Sequence, residues 1–237
     1  MRLGVLGPSG SDLVTLAKSA QLLLDAAAVE KVLYLGSDDA LDRVVAAWAS
    51  ELVGGNPSAE LVFERAAAAC AGANADVIET FVAAEQARQR LSVLTSVPRP
   101  PGRTIELFDG RIAVMLYDKA TLDEDDIAGA TLLVYGRADG PVIHPIGSRL
   151  FFSPGPLRGD GAPSPDAHGM AVIDDQGGGI RIDLLDPSGA VARTERVDAR
   201  LRGAKLKIHA GPGDAPDSTK AAAAGAGQIE PGGTKTS

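Results

Sequence analysis

The first 35 residues contain a strand, a helix and a second strand, and this unit limits the folds open to the chain. Residues 3–6 form a short apolar strand that stops at Gly7. A helical pattern follows, with Ser11 or Asp12 as its cap and apolar residues at spacings of three and four. Residues 31–35 are the second apolar run. Such a unit predicts two parallel strands joined by a right-handed crossover, and therefore an α/β fold.

A long helical stretch comes next. Glycines at Gly54 and Gly72 end two helices, and Asn56-Pro57 is typical of the start of another. The last helix of the stretch is predicted over residues 76–91, with an apolar face suited to a partner surface. We therefore predict that residues 57–91 form an extra helical region.

From residue 92 the chain changes to short β segments separated by proline and glycine. These segments predict a meander, so that a parallel first half is followed by a largely antiparallel second half. The loop at 155–165 is rich in proline and is predicted to be mobile. The predicted strands cover residues 92–97, 104–108, 111–115, 131–135, 142–146, 149–152, 170–173, 180–185 and 191–195.

The end of the chain has a different composition. Residues 211–237 contain Gly, Pro, Ala, Ser and Thr with almost no large apolar side chain. Such a segment cannot bury enough apolar surface to offset the entropy lost on ordering. We predict one domain over residues 1–210 and a disordered tail over 211–237.

Charge and cysteine content exclude several classes of function. The formal net charge is −8 and the pI is about 4.9, which argues against nucleic acid and against a bare membrane surface as partners. The single cysteine, Cys70, excludes an intramolecular disulfide framework and is predicted to be buried in an Ala-rich helix. The first apolar run is too short for a signal peptide or a membrane span, so a cytoplasmic protein is expected.

The predicted strands run into five turns: Val5-Leu6-Gly7-Pro8-Ser9-Gly10-Ser11-Asp12-Leu13, Tyr34-Leu35-Gly36-Ser37-Asp38, Ile112-Ala113-Val114-Met115-Leu116-Tyr117-Asp118, Tyr135-Gly136-Arg137-Ala138-Asp139-Gly140-Pro141 and Phe152-Ser153-Pro154-Gly155-Pro156. Taken together and in order, these turns resemble those of the calcineurin-like metallophosphoesterase family, in its short bacterial phosphodiesterase type. The resemblance covers roughly residues 1–200 and implies a four-layer α-β-β-α sandwich with mixed parallel and antiparallel sheets. It also implies two divalent metals at the carboxyl ends of the strands.

The metal ligands implied by this resemblance are missing. The family's first aspartate falls on Pro8 and its partner histidine on Gly10, the bridging aspartate falls on Ser37, and the later histidines fall on Leu116, Arg137 and Asp139. The three histidines of the chain, His144, His168 and His209, lie elsewhere and are predicted to be at the surface or loosely packed. The sequence therefore predicts that a two-metal centre of the family type cannot assemble.

Two binding hypotheses use the residues that remain. Asp38, Asp118 and Asp139 could hold one Mg²⁺ or Ca²⁺ through oxygen atoms, although aspartates at turns often serve only backbone hydrogen bonds. The turn after the first strand opens a helix, where backbone N–H groups can hold an anion. The candidate anion or ligand pocket comprises Ser9, Gly10, Ser11, Ser37, Asp38, Asp118, Arg137 and Asp139.

The leading functional hypothesis is a phosphoesterase-fold protein that is catalytically inactive, needs no cofactor and acts as a protein-interaction or scaffold module. The resemblance offers a precedent, because the small phosphoesterase-like subunit of retromer uses this fold for protein contacts. The predicted contact surfaces are residues 57–91 and a pocket mouth around Leu116, Tyr117 and Phe152. The alternatives are a metal-dependent phosphodiesterase or phosphatase with a carboxylate site, and a phosphate or nucleotide sensor. The protein partner and the oligomeric state stay open.

Overall fold

The computed structural model describes residues 1–198 apart from Ala26, Ala73, Asp160, Pro163, Gln176 and Gly177. The predicted tail at 211–237 and His209 lie outside the described residues, so those predictions stay untested. The strands of the described part are β1 (Arg2–Leu6), β2 (Lys31–Tyr34), β3 (Leu94–Ser96), β4 (Thr104–Phe108), β5 (Arg111–Leu116), β6 (Leu132–Tyr135), β7 (Val142–Ile146), β8 (Arg149–Ser153), β9 (Met170–Asp174), β10 (Gly179–Leu185) and β11 (Val191–Asp198).

The strands form two mixed sheets. The first sheet has the order β11-β10-β9-β1-β2-β3, and the second has the order β4-β5-β6-β8-β7. Leu3 of β1 lies opposite Lys31 of β2 in a parallel pair, as the strand-helix-strand pattern predicts. The later strands do not form one meander, however. After β8 the chain returns to the first sheet, where β9 pairs antiparallel with β1. In the second sheet, β6 lies between β5 and β8 and is parallel to both.

Five α-helices accompany the sheets in the described residues: α1 (Leu13–Asp25), α2 (Ala40–Val53), α3 (Val62–Ala71), α4 (Ala75–Arg90) and α5 (Glu124–Gly129). The Asp12 carboxylate accepts the Thr15 N–H at 3.0 Å, so Asp12 is the cap before α1. The predicted helix start at Asn56 is wrong. The Asn56 side chain accepts the Ser58 N–H in a turn, and Ser58 caps the 3₁₀ turn that leads into α3.

Three apolar clusters hold these layers together. The central cluster lies between the sheets and includes Leu3 and Leu33 from the first sheet with Met115 and Phe152 from the second. Side chains of α1 and α2 cover the outer face of the first sheet. On the outer face of the second sheet, Leu122 and Ala130, on either side of α5, pack against β5 and β6. The predicted α/β sandwich of two mixed sheets with helices is confirmed, with a thin outer layer over the second sheet.

The α3–α4 region is only loosely attached to this sandwich. Helix α3 has no buried residue, and Glu85 is the buried residue of α4. Phe63 is 83% exposed, and Val77, Ile78 and Val82 are each about two-fifths exposed. Cys70 is exposed, so the prediction of a buried thiol is wrong.

Candidate functional site

The strand-end turns pack backbone against backbone. A Cβ atom on Gly7 would lie 1.7 Å from the carbonyl oxygen of Gly155, and one on Gly136 would lie 2.2 Å from the carbonyl oxygen of Leu35. The Leu157 N–H also donates to the carbonyl of Pro8 at 2.8 Å. Contacts this close require glycine, because any side chain would collide with main-chain atoms. The turn after β1 is thus closed by the segment after β8, and the turn after β6 by the end of β2.

A tyrosine hydroxyl joins the turn after β1 to the turn after β2. The Tyr34 hydroxyl accepts the Ser9 N–H at 3.1 Å, lies 3.1 Å from Ser9 Oγ, and donates to Asp38 Oδ1 at 2.9 Å. The Tyr34 ring passes over Gly36, where a Cβ would lie 2.3 Å from ring carbons. Burial of the ring raises the pKa of Tyr34, so the hydroxyl is neutral and can donate. Ser9 and Asp38 are therefore bound to Tyr34.

An ion pair joins the turns after β5 and β6. Arg137 Nη1 donates to Asp118 Oδ2 at 2.5 Å, and the Ala120 N–H donates to Asp118 Oδ1 at 3.0 Å. The Ala120 N–H and, after it, the Arg137 guanidinium lower the pKa of Asp118 below its ordinary value. Arg137 itself is 67% exposed, because it lies on the rim of the fold. The Asp118 carboxylate is thus ionised and already matched by a cation of the same chain.

An open cleft of about 650 Å³ lies beside this ion pair. The Lys119 ammonium lies 5.0 Å from the centre of the Tyr135 ring on its wall. Arg158 reaches the same turn from the loop after β8 and donates to the carbonyl of Asp139 at 3.1 Å. The cleft is lined by Pro8, Tyr117, Lys119, Tyr135, Gly136, Arg137, Ala138, Asp139, Gly140, Pro141, Val142 and Pro156.

The predicted site residues thus fall into two groups. Ser9 and Asp38 meet through Tyr34, whereas Asp118 and Arg137 form an ion pair near Asp139. The side chains of Ser11 and Ser37 form no hydrogen bond with either group in the described part of the chain. Gly10 adopts a positive φ of 58° in an exposed turn.

The residues at the strand ends do not fit a two-metal centre. Pro8, Gly10 and Leu116 have no side-chain atom that binds a cation, and no three His, Cys, Asp or Glu side chains of the described part lie close enough together to hold a metal ion. Asp38, Asp118 and Asp139 are accordingly not gathered into one group. The binding of a single cation by these aspartates stays a prediction.

Three further expectations are corrected by burial. Leu116 and Phe152 are 1% and 0% exposed, so they belong to the core and cannot form the mouth of a contact surface; Tyr117 alone of that trio lines the cleft. His168 is buried at 5% exposure and its Nδ1 lies 3.2 Å from the carbonyl of Arg158, whereas His144 is exposed as predicted. The loop at 155–165 begins buried at Gly155 and Leu157 rather than as a free loop.

Two residues of the site were missed in the sequence. The sequence places Tyr34 at the end of a strand and in the turn that follows it without indicating a role for its hydroxyl, and it indicates no role for Lys119. The signal for Tyr34 was available: it is the aromatic residue of an aliphatic strand, and a buried tyrosine hydroxyl usually finds a polar partner. Gly36, two residues later on the same face, leaves the space that the ring occupies. Nothing in the sequence marks Lys119, because its place beside Tyr135 depends on the pairing of β5 with β6.

Comparison with protein-family models gave no match, and comparison with curated proteins gave none either. Among solved structures, the chain is similar to a conserved protein of Streptococcus pneumoniae TIGR4 described as a predicted phosphoesterase, with 12% identity and a TM-score of 0.47 over 83% of this chain and 98% of that chain. It is also similar to Vps29 of Entamoeba histolytica complexed with zinc, with 13% identity and a TM-score of 0.41 over 84% and 99% of the two chains. An archaeal phosphodiesterase gives 14% identity and a TM-score of 0.40 over 83% and 100%.

Two of these three proteins are described as a phosphoesterase or phosphodiesterase. Identities of 12–14% and TM-scores of 0.40–0.47 give no information about the residues of the site. In the described part of the chain, no helix has the length and apolar character needed to cross a membrane.

Proposed function

We propose that this protein is a non-hydrolytic protein-interaction module of the cytoplasm. The observation that carries the proposal is that the strand-end side chains already bind each other: Tyr34 holds Asp38 and Ser9, and Arg137 holds Asp118. A hydrolytic site needs carboxylates and imidazoles free to bind metal and substrate. Here the polar groups bind each other and stabilise the turns, so the protein has the fold but does not catalyse hydrolysis.

Exposed apolar side chains provide the contact surface for this module. Ile105 and Leu107 of β4 are 60% and 61% exposed, and Ile112 of β5 lies directly opposite Leu107. We call these three residues the β4–β5 patch. They point away from the core, since the intervening Glu106 forms an ion pair with Lys31 of the first sheet at 2.6 Å. Contiguous exposed apolar side chains of this kind mark protein-binding surfaces more often than isolated ones do.

A hydrolysis assay tests the absence of the reaction. The purified full-length protein is assayed with a generic aryl phosphodiester in Mn²⁺, and its bound metal is quantified. We expect no turnover above background and less than one metal per chain. Stoichiometric metal with turnover that is abolished by Asp139→Ala would instead establish the metal-dependent enzyme.

A matched pair of variants tests the contact surface. Leu107→Asp places a charge in the β4–β5 patch, whereas Val191→Asp places one at an exposed apolar position of β11 in the first sheet. Proteins that co-purify from a native cytoplasmic extract are compared by quantitative mass spectrometry. We expect a protein retained by the wild type and by Val191→Asp to be lost with Leu107→Asp. Equal recovery with both variants would place the contact elsewhere.

The cleft beside Arg137 favours a second candidate function, the binding of a phosphate-bearing ligand without cleavage. Lys119 on its wall and Arg158 next to it supply positive charge in addition to the Arg137–Asp118 ion pair, and Asp139 of the lining offsets only one of these two charges. A thermal-shift panel of nucleotides and inorganic phosphate tests this function, because a ligand at 100 times its Kd adds about 2.7 kcal/mol to the free energy of unfolding. The shift should disappear in Lys119→Gln. No shift with any member of the panel would reject it.

A further inference from the structure

A second cavity lies far from the strand-end turns, between helices α2, α3 and α4. Its volume is about 520 Å³, within the range of roughly 300–1,000 Å³ that is usual for small-molecule pockets. Its walls are mainly apolar, so water is poorly held there. We call this cavity the helical groove; it is lined by Leu52, Val53, Arg65, Ala68, Ala69, Asn74, Asp76, Val77, Thr80, Phe81, Ala84 and Glu85.

A cluster of three charged side chains lies at one end of the helical groove. Arg65 Nε donates to Glu85 Oε1 at 2.6 Å, and Arg88 Nε donates to Glu85 Oε2 at 2.7 Å. The side chains of Arg65, Glu85 and Arg88 are only 15%, 8% and 13% exposed. The hydrogen bonds from Arg65 and Arg88 lower the pKa of Glu85, so the carboxylate is charged. Two guanidinium groups share one carboxylate, and the cluster therefore carries one positive charge in excess.

One buried hydrogen-bond donor of this cluster, on Arg65, has no acceptor among the described residues. Arg65 Nη1 donates to the carbonyls of Asn56 and Ser58 at 2.8 and 3.0 Å, but Nη2 is buried and has no hydrogen-bond partner among the described residues. A buried donor without a partner is costly, and so is a buried charge without its counter-charge. One carboxylate bound beside Arg65 at this end of the groove would give Nη2 a hydrogen-bond acceptor and would balance the excess positive charge.

We propose that the helical groove binds an aliphatic monocarboxylate, with its carboxylate on Arg65 and its chain along the apolar wall. Charge sets the orientation. Asp76 lies at the other end of the groove, about 13 Å from Glu85 along α4 at 1.5 Å per residue, and repels a carboxylate placed there. The chain then passes Ala84, Phe81 and Val77 between the two ends. This site goes beyond the interaction role and does not depend on it.

Three ligands of equal chain length test the site by calorimetric titration, with the two ionic ligands below their micelle concentrations and dodecanol below its solubility limit in water. The full-length protein is titrated with dodecanoate, with dodecanol and with dodecyltrimethylammonium. We expect dodecanoate to bind at one per chain, dodecanol more weakly, and the cation not at all. Absence of dodecanoate binding overturns the proposal, and equal binding of the cation overturns it too, since that result shows adsorption to apolar surface alone.

Two protein variants and a control complete the test. Arg65→Met keeps the apolar stem and the Glu85–Arg88 pair but removes the unused donor, and we expect it to lower dodecanoate affinity by about tenfold or more. Ala68→Phe fills the groove from an exposed position and should abolish binding even if Arg65→Met fails to fold. Ala67→Phe, on the exposed face of the same helix and outside the lining, is the control and should bind as the wild type does. Wild-type affinity in Ala68→Phe would overturn the proposal.

Discussion

At the scale of single residues, Tyr34 does what a metal ion would do in a hydrolytic site: it holds two strand-end turns together. Tyr34→Phe removes the hydroxyl and leaves the Ser9 N–H and the Asp38 carboxylate without this partner. We expect the free energy of unfolding to fall by about 1–3 kcal/mol, because Ser9 is buried. Urea denaturation measures the loss. Tyr135→Phe is the control, since no hydrogen bond of its hydroxyl is found among the described residues; an equal loss in both would contradict the role of Tyr34.

The Asp118–Arg137 pair makes a prediction about pH. The pKa of Asp118 is lowered in the folded protein below the ordinary value of an aspartate, chiefly by the Ala120 N–H and then by Arg137. A lowered carboxyl pKa stabilises the fold above the unfolded pKa, and that stability is lost as the pH falls through the folded pKa. The stability difference between wild type and Asp118→Asn should therefore be constant from pH 7 to about pH 5 and shrink below about pH 4.

Carboxyl NMR titration checks the cause directly. In Arg137→Met the pKa of Asp118 should rise from its wild-type value but stay below that of a free aspartate, because the Ala120 N–H still donates to the carboxylate. An unchanged pKa in Arg137→Met would mean that the ion pair does not form in solution.

At the scale of elements, the close approach of β2 and β6 depends on a glycine. Gly136→Ala would place a Cβ 2.2 Å from the carbonyl oxygen of Leu35, and main-chain atoms cannot move aside as a flexible side chain can. We expect a loss of about 1–3 kcal/mol in the free energy of unfolding, the usual cost of overpacking. Gly140→Ala, in the same turn but with open space around its Cβ, should change it by less than about 0.5 kcal/mol. Equal effects would show that the turn is loose in solution.

The elements themselves were largely predictable, but their partners were not. Strand bounds such as 104–108 and 142–146 agree with β4 and β7, because alternation and turn residues are local signals. The sheet that each strand joins is decided by distant contacts. β9 crosses to pair with β1, and no property of residues 170–173 alone could indicate it. For the same reason the sequence predicts an apolar face on the helix over residues 76–91 but does not indicate that Val77, Ile78 and Val82 stay about two-fifths exposed.

At the scale of the whole molecule, the sequence predicts where the strand-end turns lie but not which contacts stabilise them. Gly7, Gly36 and Gly136 mark the strand ends in the printed sequence. Gly36 makes room for the Tyr34 ring, whereas Gly7 and Gly136 pack main chain against main chain, a contact that exists only when the two sheets are face to face. The residues of the predicted ligand pocket lie in the turns at these strand ends. Their division into a Tyr34 group and an Arg137 group required the three-dimensional arrangement.

This mode of stabilisation predicts how the whole molecule responds to metal. A protein that binds a metal only in its folded state unfolds at a temperature that rises with metal and falls with chelator. Here hydrogen bonds and close main-chain contacts join the turns, and among the described residues no three ligands lie together. We expect the same unfolding midpoint, by differential scanning calorimetry, in excess EDTA and in excess Mn²⁺. A higher midpoint in Mn²⁺ that Asp139→Ala removes, while Asp76→Ala keeps it, would place a cation at the strand ends and contradict this account of the fold.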